Sequence, residues 1–95
     1  MNQKQALFKV INSDKFLEMS FTTQVLFFRC VNEADEEGIV NCVRALKRLV
    51  GASDCNIQEL EDKQFILPIK PKEPNGDIDE YIVPVMSKVF PKEGE

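Results

Sequence analysis

Arg44, Lys47 and Arg48 place three cations within five residues, close enough to contact successive phosphates of a nucleic-acid backbone. Lys70 and Lys72 lie in a later, turn-rich segment and are candidates to extend the same basic surface. Between them fall Ser53, Asn56, Gln58 and Lys63; Asn56 and Gln58 carry the side-chain amide that pairs with an adenine edge. The same residue types have a plainer reading, a solvated helix exterior whose cations are countered by neighbouring acids.

Other chemistry is poorly represented. The chain has no histidine, which removes Ser-His-Asp and Cys-His nucleophilic systems and the commonest metal ligand together. There is no glycine-rich phosphate loop and no nucleophile with a recognisable base, so the expectation is a protein that is not an enzyme, with no cofactor and no small-molecule substrate. Glu33, Asp35, Glu36 and Glu37 lack the alternating ligand spacing of a calcium loop and read as a solvated turn, with no metal expected. Cys30, Cys42 and Cys55 are odd in number and set among apolar neighbours, which suits small core residues in a reducing compartment better than disulfides or a zinc site. The longest apolar run is Val25 to Phe28, far short of a membrane span, so a cytoplasmic protein is expected. A net charge of −4 argues against broad, non-specific adhesion to nucleic acid and leaves only local basic patches for that role.

The elements that must position these residues follow from caps, periods and turns. Ninety-five residues enclose one core, and a single domain over residues 1–90 with a frayed tail at 91–95 is expected. Ala6 to Ile11 has no clean period and reads either as an extended lead-in or as a helix. Asn12, Ser13 and Asp14 start a short turn of helix carrying Phe16, Leu17 and Met19. Ser20 caps a longer helix in which Phe21, Val25 and Phe28 recur at i, i+4 and i+7 while Leu26, Phe27, Cys30 and Val31 widen the stripe, so the helix belongs in the middle of the core, with its phenylalanines as packing and not as a platform for bases. Gly38 ends the acidic run, and Ile39 and Val40 make an abbreviated strand.

Asn41 is the expected cap of a helix over Cys42 to Val50, with Val43, Leu46 and Val50 inward and Gly51 as its stop. After Gly51-Ala52, Ser53 caps a helix from Asp54 to about Lys63 with Ile57 and Leu60 inward, and two helices so closely joined must cross sharply. Phe65 to Ile69 and Tyr81 to Val85 read as paired strands around a long tip containing Pro71, Pro74 and the Asn75-Gly76 turn. The fold class is therefore α+β, mainly α, a winged helix-turn-helix with a C-terminal β-hairpin wing.

Particular stretches carry a resemblance beyond this order. Ser13-Asp14-Lys15-Phe16-Leu17 followed by Thr23-Gln24-Val25-Leu26-Phe27-Phe28, then Asp35-Glu36-Glu37-Gly38-Ile39-Val40, Val50-Gly51-Ala52-Ser53, Lys63-Gln64-Phe65-Ile66 and Ile82-Val83, resembles the N-terminal domains of phage replisome organisers over residues 7–86. Such domains are similar to DnaD-like primosome components. The resemblance implies assembly of replication machinery on DNA in a bacterial or phage-infected cell, with self-association a recurrent use of the fold. It departs from the pattern in two places: Pro84 to Phe90 lack the tryptophan expected after the second wing strand, and the family domain usually fronts a longer protein, whose loader-recruiting parts would lie outside these residues.

Two functions follow as expectations. One is double-stranded DNA binding through the basic helix and the wing, opposed by the acids Asp54, Glu59, Glu61 and Asp62 on the last helix. The alternative is a protein-interaction module without DNA, pairing its acidic face and wing with a second copy or with a replication protein.

Overall fold

Hydroxyl caps set where the helices begin. The computed structural model describes residues 3–69 and 80–87. Ser13 Oγ accepts from the Phe16 N–H at 3.2 Å and starts α2 (Asp14–Leu17), and Ser20 Oγ accepts from the Thr23 N–H at 3.3 Å at the start of α3 (Phe21–Glu33). Ahead of them lies α1 (Gln3–Ile11), so the segment with two readings is helical; Ala6 is buried and Leu7, Val10 and Ile11 pack against the core. The pairs 6/7 and 10/11 are four residues apart, and that spacing is the helical stripe.

The acidic run is an ordered turn. Asp35 Oδ1 accepts from the Glu37 and Ile39 N–H groups, both at 2.9 Å, which is the self-capping geometry aspartate favours in turns. Gly38 follows at φ 82° and leads into β1 (Ile39–Val40). Next comes α4 (Val43–Val50), whose first flanking residue is Cys42 and not Asn41; no side chain caps it. It stops at Gly51, φ 71°, where Ala52 N–H donates to Lys47 O at 2.8 Å and Gly51 N–H to Arg48 O at 3.2 Å. Then α5 (Asp54–Asp62) ends in the same type of turn, with Phe65 N–H on Leu60 O at 2.9 Å and Gln64 N–H on Glu61 O at 3.0 Å. There the left-handed position, φ 65°, is held by Gln64 instead of a glycine.

The predicted strand pairing is present but short. β2 (Leu67–Pro68) runs antiparallel to β3 (Tyr81–Ile82), with Leu67 opposite Ile82 and Pro68 opposite Tyr81. β1 joins the other edge of β3, giving an antiparallel sheet of order β1-β3-β2. The expected run to Val85 stops early because Pro84 has no N–H to donate, and Pro84–Met86 form a 3-10 turn instead. The hairpin tip with Lys70, Lys72, Pro71 and Pro74, and the tail 91–95, lie outside the described residues.

The architecture is α+β, mainly helical, with this small sheet closing one side. Its core joins Phe16, Leu26, Phe27, Cys30, Val40, Val43, Leu46, Ile57, Leu60, Ile66, Tyr81 and Val83, so α2, α3, β1, α4, α5 and β3 share one cluster, against which α1 packs. Cys30 is buried as expected, its thiol pushed up to about 12 by burial and then by Cys42; Cys55 is instead exposed on α5. One expectation fails outright. Thr23, Leu26, Phe27 and Cys30 form the buried side of α3, whereas Phe21, Val25 and Phe28 are exposed. A helix apolar all round has two candidate inner faces, and periodicity alone chooses neither. Among the described residues, no helix is long and apolar enough to cross a membrane.

Candidate nucleic-acid interface

The basic triad sits on α4 beside its buried residues. Val43 and Leu46 face the core, and Arg44, Lys47 and Arg48 occupy adjoining positions at i, i+3 and i+4. Arg48 is exposed; Arg44 and Lys47 are half-buried. Lys47 Nζ reaches Asp54 Oδ1 at 2.7 Å across the α4-α5 junction. That hydrogen bond and charge, with Arg44 as a further cation, hold the Asp54 carboxyl below the usual carboxylate range. Asp54 therefore stays ionised and Lys47 stays countered at neutral pH, which is the plainer reading of one of the three cations. Of the three, Arg48 is the one exposed to solvent.

The last helix is tied to the scaffold by the residues expected to read bases. Asn56 Oδ1 accepts from the Ser53 N–H at 2.8 Å and from the Ser53 hydroxyl at 3.2 Å, while its Nδ2 donates to Thr23 Oγ1 at 2.8 Å and lies 3.4 Å from Ser20 Oγ. Thr23 Oγ1 in turn donates to Glu59 Oε1 at 2.6 Å and contacts Ser20 Oγ at 2.9 Å. These groups weld the first turn of α5 to the first turn of α3. Thr23 is fully buried, so removing its partners would leave a desolvated hydroxyl. Ser53 and Asn56 thus serve the fold in the free protein. Gln58 Nε2 donates to Asp62 Oδ1 at 2.8 Å on the exposed side of α5.

The remaining surface of α5 repels phosphate. A depression of about 460 Å³ runs along Cys55, Asn56, Gln58, Glu59, Asp62 and Lys63. Two of its six lining residues are carboxylates, and burial, then the Asp62 charge, raise the carboxyl of nearby Glu61. Lys63 stands at its end, 3.9 Å from Glu18, and shares a second hollow of about 220 Å³ with Lys15, Phe27 and Phe65. The structure therefore gathers Arg44, Lys47 and Arg48 on α4, puts Ser53 and Asn56 in the α3-α5 weld, and leaves Gln58 and Lys63 on an acidic face. Lys70 and Lys72 fall outside the described residues. Sequence reasoning missed the part played by Thr23, which lies in the polar stretch Thr22-Thr23-Gln24 ahead of the apolar run, and by Glu59, which reads from the sequence as an outward acid.

No family model, no curated protein and no solved structure matches the chain.

Proposed function

We propose that the chain is a winged-helix domain that binds duplex DNA, in the manner that its resemblance to replisome organiser domains implies. The fold reading is supported by the order α3, β1, α4, α5, β2, β3, by the three-residue Gly51-Ala52-Ser53 link, and by a sheet in which the first short strand pairs beside the hairpin. Fold alone does not carry the function. The observation that does is the α4 face, which gathers Arg44, Lys47 and Arg48 at i, i+3 and i+4 with Arg48 exposed, cations of the kind that bind phosphate.

The acidic outer face of α5 disfavours deep insertion into a groove, and Asn56 would have to break three strong contacts to read a base. Contact is therefore made chiefly to the phosphate backbone by α4, with Lys70 and Lys72, which follow β2 in the sequence, adding to it. Binding of this kind is salt-sensitive and weakly selective for sequence. Catalysis has no part in the reading.

The test is a fluorescence-anisotropy titration of a duplex over a series of salt concentrations. Changing Arg44, Lys47 and Arg48 together to Ala is expected to lower the slope of log affinity against log salt by about two to three units, because each lost phosphate contact removes about 0.9. Lys47, already shared with Asp54, contributes least. An unchanged slope rejects the α4 interface, and no retention of duplex by the unaltered chain at low salt rejects the DNA reading as a whole.

A further inference from the structure

Phe21, Val25 and Phe28 lie on the side of α3 opposite its buried residues, 83%, 44% and 45% exposed, and Leu17 on the preceding turn is 58% exposed. With Phe8 and Leu49 they make up all the large exposed hydrophobics among the described residues, so four of six belong to one helix face and the turn leading into it. Scattered single exposures are ordinary; an apolar stripe spanning two helical turns marks a contact surface. One of its residues is already held in place. Phe28 packs its ring edge-on against Phe16 at 5.7 Å, and Phe16 is a core residue, so little side-chain freedom is left to lose on docking.

From this geometry we infer that the outer face of α3 is a two-fold interface between two copies of the chain, with the α3 helices antiparallel and crossing near Val25. The area fits. With about 200 Å² for a fully exposed phenylalanine, the four side chains expose on the order of 400 Å². A standard interface covers about 800 Å² per partner, of which somewhat over half is non-polar, or roughly 450 Å². One copy thus supplies the apolar centre of such an interface and its partner supplies the same.

The rim specifies direction. Glu18 lies before α3 and Arg29 near its far end, at the i+4 position from Val25. Antiparallel pairing about Val25 puts Phe21 of one copy beside Phe28 and Arg29 of the other and brings Glu18 towards the opposing Arg29, joining unlike charges at both ends. Parallel pairing would set Arg29 against Arg29. Glu18 is available for this, since its contact with Lys63 is long at 3.9 Å and its carboxylate is largely exposed. The surface differs from the α4 face and does not depend on the DNA reading.

Sedimentation equilibrium or light scattering across micromolar concentrations provides the test. The unaltered chain is expected to reach twice its chain mass at high micromolar concentration. Phe21→Glu is expected to weaken association by at least about a hundredfold, because a change in an isologous interface enters twice. Its position in the first turn of α3 favours glutamate, so the helix and the duplex affinity per chain are retained. Glu18→Arg is expected to weaken the dimer, and Arg29→Glu added to it to restore association. Leu49→Glu, a change at an exposed leucine on another helix, leaves the dimer intact. A monomer at every concentration, the result expected were this face covered by the chain's own C-terminal residues, overturns the inference. So does a dimer that survives Phe21→Glu.

Discussion

Phe16→Ala is expected to cost about 3–5 kcal/mol, the largest single loss of stability in the molecule, read as a fall in the urea midpoint with little change in slope. The reason is local. α2 has four residues, too few to be stable as a helix in its own right, and Phe16 is its one buried side chain. That ring meets Phe27 at 5.5 Å, Phe28 at 5.7 Å and Phe65 at 5.8 Å, each edge to face, and so joins α2, α3 and the turn leaving α5. Each such pair contributes roughly 0.5–1.5 kcal/mol beyond the apolar area it buries. Truncation leaves a cavity bounded by rings on separate elements, which cannot all collapse together. Against the roughly 5–15 kcal/mol that holds a domain of this size folded, the loss is a large share of the total. Phe16→Leu keeps most of the volume and is expected to cost less than half as much.

The second large effect is at Gly38. Its φ of 82° is left-handed, and a Cβ placed there would stand 2.9 Å from Ser87 Cα, Cβ and N. Ser87 is fully buried, and the Gly38 carbonyl accepts from the Val83 N–H at 2.7 Å, so neither segment can withdraw without opening the β1-β3 edge. Gly38→Ala is expected to cost about 3 kcal/mol, combining backbone strain of about 1 kcal/mol with overpacking of about 2 kcal/mol. Gly51 separates the two contributions. It has a similar φ of 71° but open space where its Cβ would be, so Gly51→Ala is expected to cost only the strain, about 1 kcal/mol. Equal losses at the two glycines in parallel urea titrations would remove the close approach of Ser87 from the explanation.

These two positions also mark where sequence stops informing structure. Local chemistry was legible: Ser13, Ser20 and Ser53 precede the helices expected of them, Gly51 ends α4, and the Leu67 and Tyr81 segments pair. Gly38 was legible only as a break in the pattern, because its crowding comes from Ser87, forty-nine residues away. The orientation of α3 was not legible for a different reason. Its two faces are about equally apolar, and the choice is made by which face carries Thr23, whose hydroxyl must meet Asn56 and Glu59 from α5. For the same reason the candidate site was read only in part. Arg44, Lys47 and Arg48 follow from spacing along one helix, whereas the engagement of Asn56 depends on a residue thirty-three positions earlier.

The tie between α3 and α5 bears on function as well as stability. A reading helix must offer free donors and acceptors, and α5 uses its best amide internally while exposing carboxylates. On the DNA reading proposed above, the described surface that remains for contact is the α4 face. Amide chemical-shift mapping of the chain with a short duplex at low salt tests this most directly. The account predicts perturbations concentrated at Arg44, Lys47 and Arg48 and at Lys70 and Lys72, fading as salt is raised. Perturbations confined to Asn56, Gln58 and Asp62, or none anywhere, would contradict it.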